Sequence, residues 1–161
     1  MILPTCSPLP LDIVIQRQTE DAIAAGRPLP RWGWKAPASY NGCTGAERIE
    51  GWQKVRIAEQ LGLLSRGRFC SLCHTARAEQ FHAENYLRPI AVKAVCRGCH
   101  FRVHRRFVDP SGWRLFLKER VRAGEWALCL QTMELTRPEI EQVALARDIF
   151  AEIKKLRATA I

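Results

Sequence analysis

Cys70-Ser71-Leu72-Cys73 and Cys96-Arg97-Gly98-Cys99-His100 are the two stretches that decide how this chain folds. Each C-x-x-C run forms a tight knuckle that can turn two sulfurs toward one ion. The 22 residues between the pairs, 74 through 95, are long enough to carry the second knuckle back over the first. Four thiolates converging in this way make a tetrahedral zinc site, with Cys70, Cys73, Cys96 and Cys99 as its ligands. His82, His100 and His104 fall inside or directly after this frame, and a four-cysteine site does not need them.

The segments around the knuckles are short. Ile90–Val95 is β-branched enough for a strand that enters the second knuckle. Cys99–Phe107 reads as a helix, because His100, Val103, His104 and Phe107 recur at i, i+3, i+4 and i+7. His100 and His104 then lie one turn apart on one side of it, so both imidazoles can reach one ion. His82 sits on the excursion that must fold back for the cysteines to meet. Three neutral imidazoles around a divalent ion, with positions left open, form a hydrolytic arrangement. The ion stabilises charge developing on a scissile phosphate, and a nearby base deprotonates the attacking water.

Further out, the chain reads as mostly helical α+β: an N-terminal helical region (1–65), a zinc-stapled finger (66–108) and C-terminal helices packing on it (109–161). A helix is expected over Leu11–Ala25, stopped by Gly26, Pro28 and Pro30. Thr44-x-x-Glu47 is a capping box opening a helix to about Leu61. Residues 26–43 between them are loop, whose Trp32, Trp34 and Tyr40 either pack it down or stack bases. Asp109-Pro110 starts another helix, running to about Ala123. Residues 125–135 fit helix or strand. Thr136-x-x-Glu139 opens a last helix to about Arg157, with a stripe of Ile140, Val143, Ala144, Ile149 and Ile153 that faces the core or pairs two copies as a homodimer.

The 161 residues carry a formal charge of +9, which calls for an anionic partner, nucleic acid first. Eight positive side chains against two acids lie between Arg97 and Arg122. Arg97, Arg102, Arg105 and Arg106 are therefore the expected phosphate contacts. No apolar run is long enough to span a bilayer, which argues against a membrane partner, and Met1–Pro10 has no secretory signature. Seven cysteines, an odd count, in a chain expected in the reducing cytoplasm favour metal over disulfides. Cys6, Cys43 and Cys129 read as plain thiols. Cys73-His74 and Cys99-His100 also match the haem c attachment pattern, which the missing export signal argues against.

The run from Cys70 to Phe107 resembles the zinc-containing branch of the HNH endonucleases, with their ββα-metal finger, over about residues 66–108. The two knuckles, His82 followed by Tyr86 and Pro89, and C-x-x-C-H with a further histidine carry the resemblance. It implies a metal-dependent nuclease acting on phosphodiester bonds, with DNA as the expected substrate. It also implies structural Zn²⁺ on the four cysteines and a second divalent ion (Mg²⁺, Mn²⁺, Ni²⁺ or Zn²⁺) on His100 and His104, joined by His82. Where many members carry His-His or Asp-His, this chain has Phe81-His82-Ala83. His82 is thus either a ligand or the general base, with Glu84 near enough to take either role. Ala91, Val92 and Lys93 stand where the family's middle Asn is expected. The other expectation is a zinc module without catalysis that binds DNA, RNA or a protein partner.

Overall fold

Local capping sets most of the helix starts. The structure, a computed structural model, describes residues 8–158, so Cys6 lies outside the described residues. Pro10 precedes α1 (Leu11–Ala24), and Gly26 at φ 100° turns the chain away from it. Thr44 opens α2 (Gly45–Gln60): its hydroxyl accepts from the Glu47 N–H, and the Glu47 carboxylate accepts from the Thr44 N–H. Between them, residues 27–39 are irregular, and Trp32 and Trp34 lean edge to face on Trp52 of α2.

The centre of the molecule is a ββα unit. β1 (Gln80–Ala83) pairs antiparallel with β2 (Val92–Val95), His82 opposite Lys93. α3 (Arg97–Arg105) follows at once, and Cys96 is its N-cap, accepting the Cys99 N–H on sulfur at 3.4 Å. The helix therefore starts two residues before the expected Cys99. β1 is an element that sequence patterning does not announce. α4 (Pro110–Arg120) starts at the expected cap, with the Asp109 carboxylate accepting the Gly112 N–H at 2.9 Å. Trp126–Cys129 is a 3₁₀ turn, neither the helix nor the strand expected of that segment.

The last expected helix is two: α5 (Arg137–Leu145) and α6 (Ile149–Ala158). Arg88 breaks it. Its guanidinium, paired with Asp12, donates to the carbonyls of Ala146 and Arg147, which a continuous helix would keep for itself. Asp148 then caps α6 by accepting the Phe150 N–H at 3.0 Å.

One core joins the finger to everything after it. Cys70, Leu72, Val95 and Val103 pack with Trp113 and Phe116 of α4 and with Ile140, Val143, Ile149 and Ile153. Of the two expectations for the apolar stripe, the core-facing one holds: Ile140, Val143, Ile149 and Ile153 are consumed within the chain. A smaller cluster of Ile15, Val55, Ala58 and Ile90 fastens α1 and α2 to the turn before β2. Among the described residues no helix is long and apolar enough to cross a membrane.

Candidate metal centres

The four knuckle sulfurs lie within 4.8 Å of one another, so Cys70, Cys73, Cys96 and Cys99 could hold a metal ion. Their loops are shaped by hydrogen bonds. Cys70 N–H donates to Ala76 O at 2.8 Å, and Ser71 N–H to Ala94 O at 2.8 Å, which ties the first knuckle to β2. His74 takes φ 57° to complete the turn, and its Nε2 pairs with Glu125 at 2.7 Å. Sulfur is itself solvated by donors: Leu72 N–H on Cys70 and the Thr75 hydroxyl on Cys73, each at 3.4 Å. Burial pushes the Cys73 thiol up, but the Thr75 hydroxyl and the N–H groups of Ala76 and Thr75 outweigh it and bring it down to about 6. Cys99 goes the other way, raised by burial and by the neighbouring Cys96, Cys70 and Cys73. A cation among the four sulfurs relieves that repulsion, and a set of soft sulfur donors selects soft or borderline ions.

A second group could also hold an ion: His82, His100 and His104, whose ligand nitrogens likewise lie within 4.8 Å of one another. β1 delivers His82, fully buried, and α3 delivers the other two one turn apart. His82 Nε2 bonds Glu84 Oε2 at 2.8 Å, while its Nδ1 is buried without a partner. His100 donates from Nδ1 to Gln80 Oε1 at 2.7 Å, which leaves its lone pair at Nε2. That Nε2 is 3.1 Å from His104 Nε2. Two nitrogens on one ion at about 2.0–2.1 Å sit about 3–3.4 Å apart, so the spacing fits shared ligation. All three rings are held neutral. Burial is the leading cause throughout, carrying His82 below its ordinary value despite Glu84. His100 is pushed down to about 4 and His104 to about 2, with further contributions from His82 and from the Arg48 cation. Neutral imidazole is the form that binds a metal.

No protein-family model matches this chain, and neither does a curated protein or a solved structure.

Behind His82 sits a buried polar hub. Glu84 Oε2 accepts from His82 and from the Tyr40 hydroxyl, and Oε1 accepts from Asn41 Nδ2 and Arg106 Nη2. Burial raises the Glu84 carboxyl, but Arg106 and the hydrogen bond from His82 hold it below the usual carboxylate range. With both oxygens occupied and 1% of its surface exposed, Glu84 orients His82. Glu84, expected as general base or ligand, is not among the three histidines that could hold an ion, nor does it line the cleft beside them. Arg106, expected at a phosphate, lies in the same hub. It is 1% exposed and spends its donors on Glu84, the Tyr40 hydroxyl, Val103 O and Gln131 O, so it offers no phosphate contact.

The other expected phosphate contacts are exposed but elsewhere. Arg102 lies about 200° around the helix from His100 at 3.6 residues per turn. With Arg105 it lines a groove between α3 and α4. Arg97 is exposed at the first position of α3. His100 and His104 instead form one wall of a cleft of about 320 Å³ between the finger and α2, whose cations are Arg48, Arg56 and Arg66. Arg56 and Arg66 share Glu59. Arg48 lies over the rings of Tyr40 and Tyr86 at 5.3 and 5.4 Å, donates to Ala38 O, and keeps a buried Nε with no partner. Tyr40, Asn41 and Arg48 are parts of the site that the sequence pattern does not reveal. Tyr40 stands out in the sequence only as an aromatic of the loop, Arg48 only as one charge on a face of the second helix that reads as solvated, and Asn41 not at all.

Proposed function

We propose that the chain is a metal-dependent endonuclease that hydrolyses phosphodiester bonds in DNA. In this reading a structural Zn²⁺ sits on Cys70, Cys73, Cys96 and Cys99, and a catalytic divalent ion on His82, His100 and His104. The observation that carries it is the orphaned His82 Nδ1. A buried ring nitrogen left unpaired costs about 1–3 kcal/mol, and packed histidines normally avoid it. Here the nitrogen belongs to a ring clamped from behind by Glu84 and grouped with two other neutral imidazoles. The resemblance of residues 66–108 to the zinc-containing HNH endonucleases supports the same assignment.

Each chain residue then has a task. Glu84 and Gln80 fix the rings of His82 and His100 through their outward nitrogens, the usual support for ligating histidines. Arg48 lines the cleft with its guanidinium over the rings of Tyr40 and Tyr86, and so brings to that wall a positive charge suited to a phosphate. A divalent ion on the three histidines supplies Lewis-acid stabilisation of the charge developing on the phosphate and its leaving oxygen. Three neutral ligands leave that ion's charge uncompensated, and Arg48 adds to it, so the cleft calls for an anion. The reading implies a reducing, cytoplasmic setting in which the thiols stay free.

The second reading, a zinc module that binds nucleic acid without cutting it, draws on the saturated Glu84, which leaves His82 without a carboxylate base beside it. A metal count joined to nicking of supercoiled plasmid across Mg²⁺, Mn²⁺, Ni²⁺ and Zn²⁺ separates the two. The nuclease reading expects nicking that a chelator stops and that His100→Ala abolishes while the tightly held zinc remains. One zinc, salt-dependent DNA binding and intact plasmid under every metal would decide for the binding module.

A further inference from the structure

The cleft that holds His100 and His104 has a second wall, and it is aromatic. Trp32 and Trp52 line it, and Trp34 leans on both, with ring centroids 5.1 and 6.4 Å away. The platform is built in place. Gln53 of α2 donates to Pro30 O at 2.9 Å, Trp32 Nε1 donates to Lys35 O, and Arg48 donates to Ala38 O. A Cβ on Gly45 would meet Pro37 O at 2.2 Å, so the loop lies directly against the first turn of α2. Fastening the loop accounts for Trp32 and Trp52, which are half-buried. It does not account for Trp34, which is 69% exposed and gains little from packing.

We infer that the indole cluster is a stacking platform for an unpaired base, and that the cleft takes single-stranded or locally strand-separated nucleic acid. The inference rests on the nucleic-acid reading of the cleft. In a duplex each base is covered on both faces by its neighbours, so an indole face reaches a base only when that base has left the stack. Aromatic side chains interleaved with cations are the general arrangement for unpaired strands, and Arg31 and Lys35, both exposed, flank Trp34. The platform is continuous with the metal cleft, whose cations Arg48, Arg56 and Arg66 suit the backbone of the same strand. A strand lying here stacks a base on Trp34 and brings a neighbouring phosphate to the histidines.

The test is fluorescence anisotropy on the full zinc-loaded chain, with a short labelled oligothymidylate and a duplex of equal length. No catalytic metal is added in either measurement. The single strand should bind more tightly than the duplex. Trp34→Ala should weaken single-strand binding by roughly fivefold to a hundredfold, the range for loss of one base–aromatic stack, without changing duplex affinity or melting temperature. Trp34→Phe should recover most of the loss. Equal affinity for the two probes, or an unaltered Trp34→Ala variant, would overturn the platform. If the wild type holds the strand through Trp34 and never nicks DNA, the proposed chemistry fails and the platform stands. If DNA is nicked equally well by wild type and Trp34→Ala on every substrate, the chemistry stands and the platform fails.

Discussion

Glu84 lies two residues from His82 in the chain and 2.8 Å from its Nε2, and Arg106 closes the far side of the same carboxylate. Such a pair is a poor source of net stability, because desolvating two charges offsets their attraction, yet removing one partner strands the other. Glu84→Ala should therefore destabilise the fold by about 3–5 kcal/mol in urea unfolding, since it leaves the Arg106 guanidinium buried without a counter-charge. Gln80 offers a gentler probe. It is half-buried and holds only the outward nitrogen of His100. Gln80→Ala should lower affinity at the histidine site by about tenfold to a hundredfold in a Co²⁺ titration, with the melting temperature little changed. In the proposed nuclease Arg48 would act on substrate rather than metal, so Arg48→Ala should cut the nicking rate by about a hundredfold or more and leave metal content alone. Metal lost together with activity would show that Arg48 is instead part of the scaffold of the histidine site.

At the scale of elements, what the sequence discloses is what neighbouring residues decide among themselves. Thr44 with Glu47, Asp109 with Pro110 and Thr136 with Glu139 announce their helices because cap and partner are three residues apart or fewer. The four cysteines and the i, i+4 histidines are legible for the same reason. The break between α5 and α6 is not, because it is made by Arg88, 58 residues before Ala146. β1 escapes notice because Gln80-Phe81-His82-Ala83 has no β-branched residue and becomes a strand through its register with β2. Arg106 reads as one more basic residue of a basic helix until Glu84, 22 residues away, is seen to claim it. Tyr40 and Asn41 carry no periodic signal, since each is a single loop residue reaching across the fold to Glu84. The cap at α6 gives a direct check on the break. Asp148→Ala removes the acceptor for the Phe150 and Ala151 N–H groups and should cost about 1 kcal/mol in thermal or urea unfolding.

For the whole molecule, the two metal groups differ in what depends on them. The cysteine knuckles share one core with α4, α5 and α6, so an ion held there would fasten most of the chain, whereas His100 and His104 line an open cleft. Acid probes the histidines. His100 and His104 are held at about 4 and about 2 inside the fold, against 6.5 for an ordinary histidine. Because the folded values lie below the unfolded one, the unfolded chain takes up protons first as pH falls. Stability is therefore intact above about pH 6.5 and erodes from there toward about pH 4, where His100 also begins to protonate in the fold. The same depression makes protons weak competitors for the lone pairs, so an ion on the three histidines should outlast mild acid. We expect a melting temperature that is flat above about pH 6.5 and declines below it, while a Co²⁺ spectrum of the histidine site persists through about pH 5. A melting temperature that rises on acidification would mean that these rings gain protons on folding. Protonated rings have no lone pair to give, and the assignment of His82, His100 and His104 as ligands would then be wrong.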